Sequence, residues 1–180
     1  MKAEVIAVQP WYLPVGDFIA LAKPRLNLLV VVSAAVGYWL GAPRGGNAFV
    51  LLGTGLGTAL VAGGASALNQ VLERDIDARM HRTRLRPLPD GRLQPIEAGW
   101  FATVTITAGL ILLAVGVNLL AATIAFATML LYVGIYTPLK RRTPFATIVG
   151  AVPGALPPMI GWAAARAPLS LDAWVLFLIV

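Results

Sequence analysis

"NQVLERDIDARMHRTRLRPLPDGR", residues 69–92, holds ten of the chain's 22 charged side chains, and it follows 24 residues, Gly45 to Leu68, that carry none. That boundary decides the fold. Charge is costly inside a bilayer, so a long uncharged run ending in a charged one reads as a membrane helix emerging into water. The uncharged run continues to Leu72, and Gly45 to Leu72 is the second of several spans. Leu26 to Pro43 is the first. Ala98 to Leu139 is uncharged for 42 residues, about twice the roughly 20 residues of one crossing, and divides near Gly116 to Asn118 into spans three and four. Thr143 to Ala165 is the fifth. After Asp172, "AWVLFLIV" is too short to cross and begins a sixth. The expectation is one transmembrane domain over residues 1–180, the front part of a longer chain.

Composition agrees. Hydrophobic residues make up 58 % of the chain and charged residues 12 %, with a mean hydropathy of +0.80. Soluble domains carry roughly 25 % charged residues. The predicted class is therefore an all-α integral membrane protein, a multi-helix bundle with the lipid bilayer as its solvent. The absence of Cys excludes disulfides and thiolate metal sites, and a single His, His81, excludes histidine-cluster centres. Twelve of the 14 Lys and Arg fall on one side of these spans: Lys2, Lys23 and Arg25, the six arginines from Arg74 to Arg92, and Lys140 to Arg142. That asymmetry marks the cytoplasmic side and accounts for the net charge of +6 without a nucleic-acid partner. The N-terminal "PWYLPVGDFIALAKPR" is interrupted by proline and Asp17, unlike a signal peptide. It reads as an interfacial segment with Trp11 and Tyr12 at the headgroups and Phe18, Ile19 and Leu21 on the lipid. "GTGLG", residues 53–57, lies within a span, so Gly53 and Gly57 are expected to serve close helix packing rather than nucleotide binding.

The opening stretch also carries the candidate chemistry. Asn69, Glu73 and Asp77 are spaced four apart, which keeps them within 80° on one helical face over ~12 Å. Ala62, Ala65 and Ser66 lie near that face one or two turns earlier and leave room for a ligand. Asp75 points away. Two carboxylates and an amide at a membrane boundary are hard oxygen donors suited to Mg²⁺, which takes few carboxylates and completes its shell with water and phosphate. Arginines nearby are suited to phosphate. Taken singly, each arginine is explained as well by topology or by a surface pair. The trio is not, because charge continuing the face of a buried helix is costly. In "YTPLKRRTP", residues 136–144, Tyr136 and Lys140 are also four apart and face one cavity, although a belt aromatic followed by positive charge explains them equally. "GAVPGALPPMIGW", residues 150–162, must be kinked or broken and so lines a cavity. Trp162 there reads equally as a belt residue. His81 is a polar loop residue.

With these residues set out, Asn-x3-Glu-x3-Asp followed by "RTRLRPLPDGR" resembles the first aspartate-rich motif of the UbiA-type membrane prenyltransferase superfamily, and "YTPLK" resembles its Tyr-x3-Lys element. "NQVLERDIDARMHRTRLRPLP", "PGALPPMIGWAA" and "KPRLNLLVVVSAAVGYWL" are most similar to the protohaem IX farnesyltransferase family within it. The resemblance implies a nine-helix bundle for the complete protein, around a cavity open to the cytoplasm, and a second aspartate-rich motif. After Glu97 the one acidic residue is Asp172, so that motif is missing here. It implies Mg²⁺ on Asn69, Glu73 and Asp77, diphosphate binding by Arg84, Arg86 and Arg92 with Lys140, and an orienting role for Tyr136. It further implies farnesyl diphosphate as donor, protohaem IX (haem B) as acceptor substrate rather than cofactor, and haem O as product. The location implied is the bacterial inner membrane, with haem A synthase or a terminal oxidase as assembly partners. Two alternatives stay open: prenylation of an aromatic acceptor such as 4-hydroxybenzoate, and a non-catalytic membrane protein binding anionic lipid or haem.

Overall fold

A computed structural model describes residues 15–42 and 45–180, and each uncharged run forms one helix or a pair of helices. In chain order these are α1 (Val15–Ala22), α2 (Pro24–Gly41), α3 (Ala48–Asp77), α4 (Pro95–Gly116), α5 (Leu119–Leu139), α6 (Ala146–Ala164) and α7 (Leu171–Ile179). No strand occurs among the described residues. Helices α2 to α6 are each long and apolar enough to cross a membrane, whereas α7 has only nine residues. The chain is an integral membrane protein, and the expected split of the 42-residue run falls at Val117–Asn118. The Trp11 and Tyr12 expectation lies outside the described residues.

Local chemistry sets the ends. Asn47 caps α3 by accepting from the Phe49 amide at 2.8 Å, and Asn118 caps α5 by accepting from the Ala121 amide at 2.8 Å. Asn118 also donates to the Ala163 carbonyl at 2.8 Å, so one side chain starts α5 and ties it to α6. Pro95 occupies the first turn of α4, and Glu97 closes a capping box onto the Gln94 amide at 2.7 Å. The 30 residues of α3 extend for about 45 Å, well beyond the ~30 Å hydrocarbon core. Its last turns therefore stand clear of the lipid.

Small residues permit the close packing around α3. A Cβ at Gly57 would press on Leu113 at 2.6 Å, one at Gly64 on Ile106 at 2.6 Å, and one at Gly109 on the Gly57 carbonyl oxygen at 2.8 Å. A Cβ at Gly53 would meet Val117 at 3.3 Å, so Gly53 and Gly57 of "GTGLG" serve packing as expected. The second seam joins α2 to α6, where a Cβ at Gly37 or Gly161 would collide with the backbone of Pro158 or Ala34.

Two helices are irregular where proline requires it. Helix α6 consists of two pieces, Ala146–Ala155 and Pro157–Ala164, parted at Leu156. In α5, Leu131–Tyr136 forms a π-helical turn just ahead of Pro138, with the Thr137 amide donating to the Tyr132 carbonyl. Two sequence expectations need correcting. Leu21 is fully buried, packed with Ala67, Leu88 and Leu93 rather than lying on lipid, because α1 folds onto α3. Trp162 is no belt residue: it packs with Met159 and Ala173 and donates to the Pro168 carbonyl at 2.9 Å.

Candidate diphosphate site

The last three turns of α3 present Asn69, Glu73 and Asp77 on one face, and all three are buried. The Asn69 amide donates to Glu73 Oε2 at 2.9 Å and accepts from the Thr137 hydroxyl at 2.8 Å. Thr137 follows the π-helical turn directly, so that irregularity brings the end of α5 against α3. The next α-helical turn carries Lys140, whose Nζ lies 2.6 Å from Glu73 Oε1 and 2.8 Å from Oε2. The same ammonium sits 5.6 Å from the centre of the Tyr136 ring. Arg141 secures the junction by donating to the Leu72 carbonyl at 2.6 Å.

The basic loop is anchored rather than loosely solvated. Leu88 and Leu93 insert into the α1–α3–α4 core, and the Thr83 hydroxyl donates to the Asp77 carbonyl at 2.9 Å. These anchors direct Arg86 at Asp77, with Nη1 2.7 Å from Oδ2. Arg84 and Arg92 are not brought to the carboxylates. Arg84 is exposed and has no side-chain partner among the described residues. Arg92 pairs with Asp90 and with Asp17, which fastens the loop to α1. Asp75 is exposed on the far face beside Arg74, as expected. His81 is an exposed loop residue.

Beneath the polar face lies a cavity of about 420 Å³. Ala62, Ala65 and Ser66 line it, as their spacing suggested, and Tyr136 borders it. Gly150, Pro153 and Pro157 of the broken helix line it as well, so the proline-rich run does border a cavity. Sequence reasoning missed several contributors. Lys23, Asn27 and Tyr132 line the cavity, and Thr137 and Gln70 are buried polar residues that fix the surrounding elements. Thr58, also on the wall, has the one fully buried side-chain oxygen without a hydrogen-bond partner among the described residues. No local signal in "AKPR" separates Lys23 from a topology charge.

The donor set suits magnesium. No three His, Cys, Asp or Glu form a ready metal cluster among the described residues. Two carboxylates one turn apart with an amide beside them are nevertheless the partial shell that Mg²⁺ completes with water and phosphate oxygens. Lys140 and Arg86 now neutralise those carboxylates. The carboxylates, Lys140 and Arg86 do not line the cavity but follow Ser66 of its wall along α3, and an apolar cavity next to such a cluster is chemically matched to a hydrocarbon diphosphate with its metal.

Comparison with known proteins gives the family and the fold. The profile of the UbiA prenyltransferase family matches residues 30–180. The chain belongs to the UbiA prenyltransferase family. It is 46 % identical over 173 residues to the protoheme IX farnesyltransferase of Solibacter usitatus, an alignment covering 91 % of this chain and 59 % of that protein. The chain thus spans a little over half the length of that curated relative. The digeranylgeranylglyceryl phosphate synthase structure shares the fold with a TM-score of 0.81 at 19 % identity, covering 91 % of this chain and 57 % of the other. A UbiA homologue from Archaeoglobus fulgidus, bound to DMAPP and Mg²⁺, superimposes with a TM-score of 0.73 at 17 % identity, covering 89 % of this chain and 59 % of the other. The UbiA fold is therefore present across nearly all of the chain.

Proposed function

We propose that this chain forms the prenyl-diphosphate half of a protohaem IX farnesyltransferase, one transmembrane unit corresponding to the first part of the longer relatives. The observation that carries the reading is the buried Asn69–Glu73–Asp77 face, matched by Lys140 and Arg86, which continues α3 beyond Ser66 on the wall of an apolar cavity. The likeness to the Solibacter enzyme supports the donor and the acceptor.

Glu73 and Asp77, with Asn69, would hold Mg²⁺, which offsets charge on the diphosphate when bound. Lys140 and Arg86 transfer their hydrogen bonds from the carboxylates to the diphosphate oxygens. They then stabilise the negative charge that grows as the C1–O bond of farnesyl diphosphate breaks. Tyr136 holds Lys140 in place through its ring face. The bond cleavage yields an allylic cation, and the vinyl carbon of protohaem IX forms the new C–C bond to it. Water then adds to the haem side chain, releasing one proton and giving haem O. The apolar walls keep water from the allylic cation. Haem is the acceptor substrate throughout. The site faces the cytoplasm from the bacterial inner membrane, an orientation supported by the Lys and Arg asymmetry.

Mass spectrometry of the product formed from farnesyl diphosphate, with protohaem IX and 4-hydroxybenzoate competing, tests the reading in the full-length Solibacter relative. Haem O is the expected product, and its loss when the residue aligned with Asp77 is changed to Ala, without unfolding, is expected too. A prenylated benzoate, or normal turnover in that variant, would refute it.

A further inference from the structure

Three separate devices hold the elbow between α1 and α2. The buried Gln70 of α3 donates to the Leu21 carbonyl at 2.7 Å. Asn27 of α2 donates back to the Ala22 carbonyl. Pro24 starts α2 directly after the bend. Between them Lys23 adopts φ 48° and ψ 59°, a left-handed conformation that residues with a Cβ enter at a cost. So many constraints on one residue call for a reason, and its side chain supplies one. Lys23 lines the cavity below the carboxylates. Unlike Lys140 and Arg86, it has no carboxylate within ion-pair distance and no side-chain hydrogen bond among the described residues. Burial lowers its pKa and the Arg86 guanidinium adds to the effect, while Asp77 and Glu73 act in the opposite direction. A partly desolvated cation without a partner weakens the empty protein. An anionic ligand removes that deficit.

We propose that Lys23 is a third cationic ligand for the donor's diphosphate, reaching the site from the α1–α2 elbow while Lys140 comes from α5 and Arg86 from the basic loop. The inference rests on the prenyl-transfer reading above. It gives each of three structural elements one contact to the same anion, so that diphosphate binding also draws α1 and α2 onto the α3 face.

The test compares this chain with its Lys23→Met and Lys23→Arg variants in detergent, using inorganic pyrophosphate with Mg²⁺ as the probe. Calorimetric titration reads affinity, and thermal unfolding reads stability without ligand. Lys23→Met should bind pyrophosphate about tenfold or more weakly, the loss of one charge-assisted hydrogen bond, yet unfold at a higher temperature than the wild type when empty. Lys23→Arg should keep most of the affinity. A purely structural lysine would not give this opposition of stability and binding. Equal affinity in wild type and Lys23→Met, or an empty Lys23→Met less stable than wild type, overturns the assignment. A wild-type chain that ignores Mg²⁺ and pyrophosphate altogether would instead undo the prenyl-transfer reading itself.

Discussion

Replacing Lys140 by Met isolates the contact that joins α5 to α3. The Glu73 side chain is 7 % exposed and that of Lys140 36 %, with Nζ 2.6 Å from the nearer oxygen. Removing one partner of a fully buried pair costs about 3–5 kcal/mol, because the other charge stays desolvated. Here the exposed flank of Lys140 and the Asn69 hydrogen bond to Glu73 reduce that to about 2 kcal/mol. For a chain of this size the loss corresponds to a fall in Tm of about 4–8 °C. Glu73→Gln should cost less, since the lysine it frees can reach water. The double variant should then recover part of the loss, with a coupling of about 1 kcal/mol. The assay is thermal unfolding of the four proteins in detergent, followed by tryptophan fluorescence. A Lys140→Met protein as stable as the wild type, with coupling near zero, would mean that the ion pair does not bind α5 to α3 and that the derivation from burial fails.

Two further outcomes concern the elbow and the helix seams. Lys23 has a folded pKa below its ordinary value of about 10.5. Between those two values the unfolded chain holds a proton that the folded chain has released, so Lys23 makes stability rise with pH across that window. The stability difference between Lys23→Met and wild type should therefore be largest at neutral pH and shrink toward pH 10, as measured by denaturation at a series of pH values; a constant difference would contradict the sign. At the second seam, Gly161→Ala sets a methyl group against the Ala34 backbone, which cannot rotate aside. It should cost about 1–3 kcal/mol, whereas Gly99→Ala, with nothing within 4 Å, should be neutral or slightly stabilising by propensity; chemical denaturation separates the two.

Much of this was legible in the chain itself. Runs without charge reveal membrane helices because the bilayer penalises each charge individually, and the four-residue spacing of Asn69, Glu73 and Asp77 follows from the helical repeat. Both are local properties. Leu21 was assigned to lipid because apolarity alone does not distinguish lipid from protein, and only the fold of α1 against α3 decides between them. Arg86 could not be separated from Arg84 and Arg92 by composition. The distinction comes from Leu88 and Leu93, which anchor the loop against the distant Leu21 and Ala67, and from the local Thr83 bond to Asp77. Lys23 was counted only as a topology charge, since its role depends on Gln70, which lies 47 positions later in the chain. The spacing of Tyr136 and Lys140 does bring the ammonium to 5.6 Å from the ring centre, but of the two only Tyr136 lines the cavity, because Lys140 turns to Glu73 on another helix.

The wide turn at Leu131–Tyr136 has an implication for how such a chain can diverge. It accommodates one residue more than an ordinary α-helical path, and each residue of an α-helix is worth about 100° of rotation. The bearing of Thr137 and Lys140 toward α3 is thus an angular phase fixed by a count of residues rather than by any one side chain. Apart from Tyr132 and Tyr136, which line the cavity, drift in the identity of those positions leaves that phase intact. A single insertion or deletion among them would swing both polar groups out of alignment, so the segment should be far more tolerant of exchange than of any change in length.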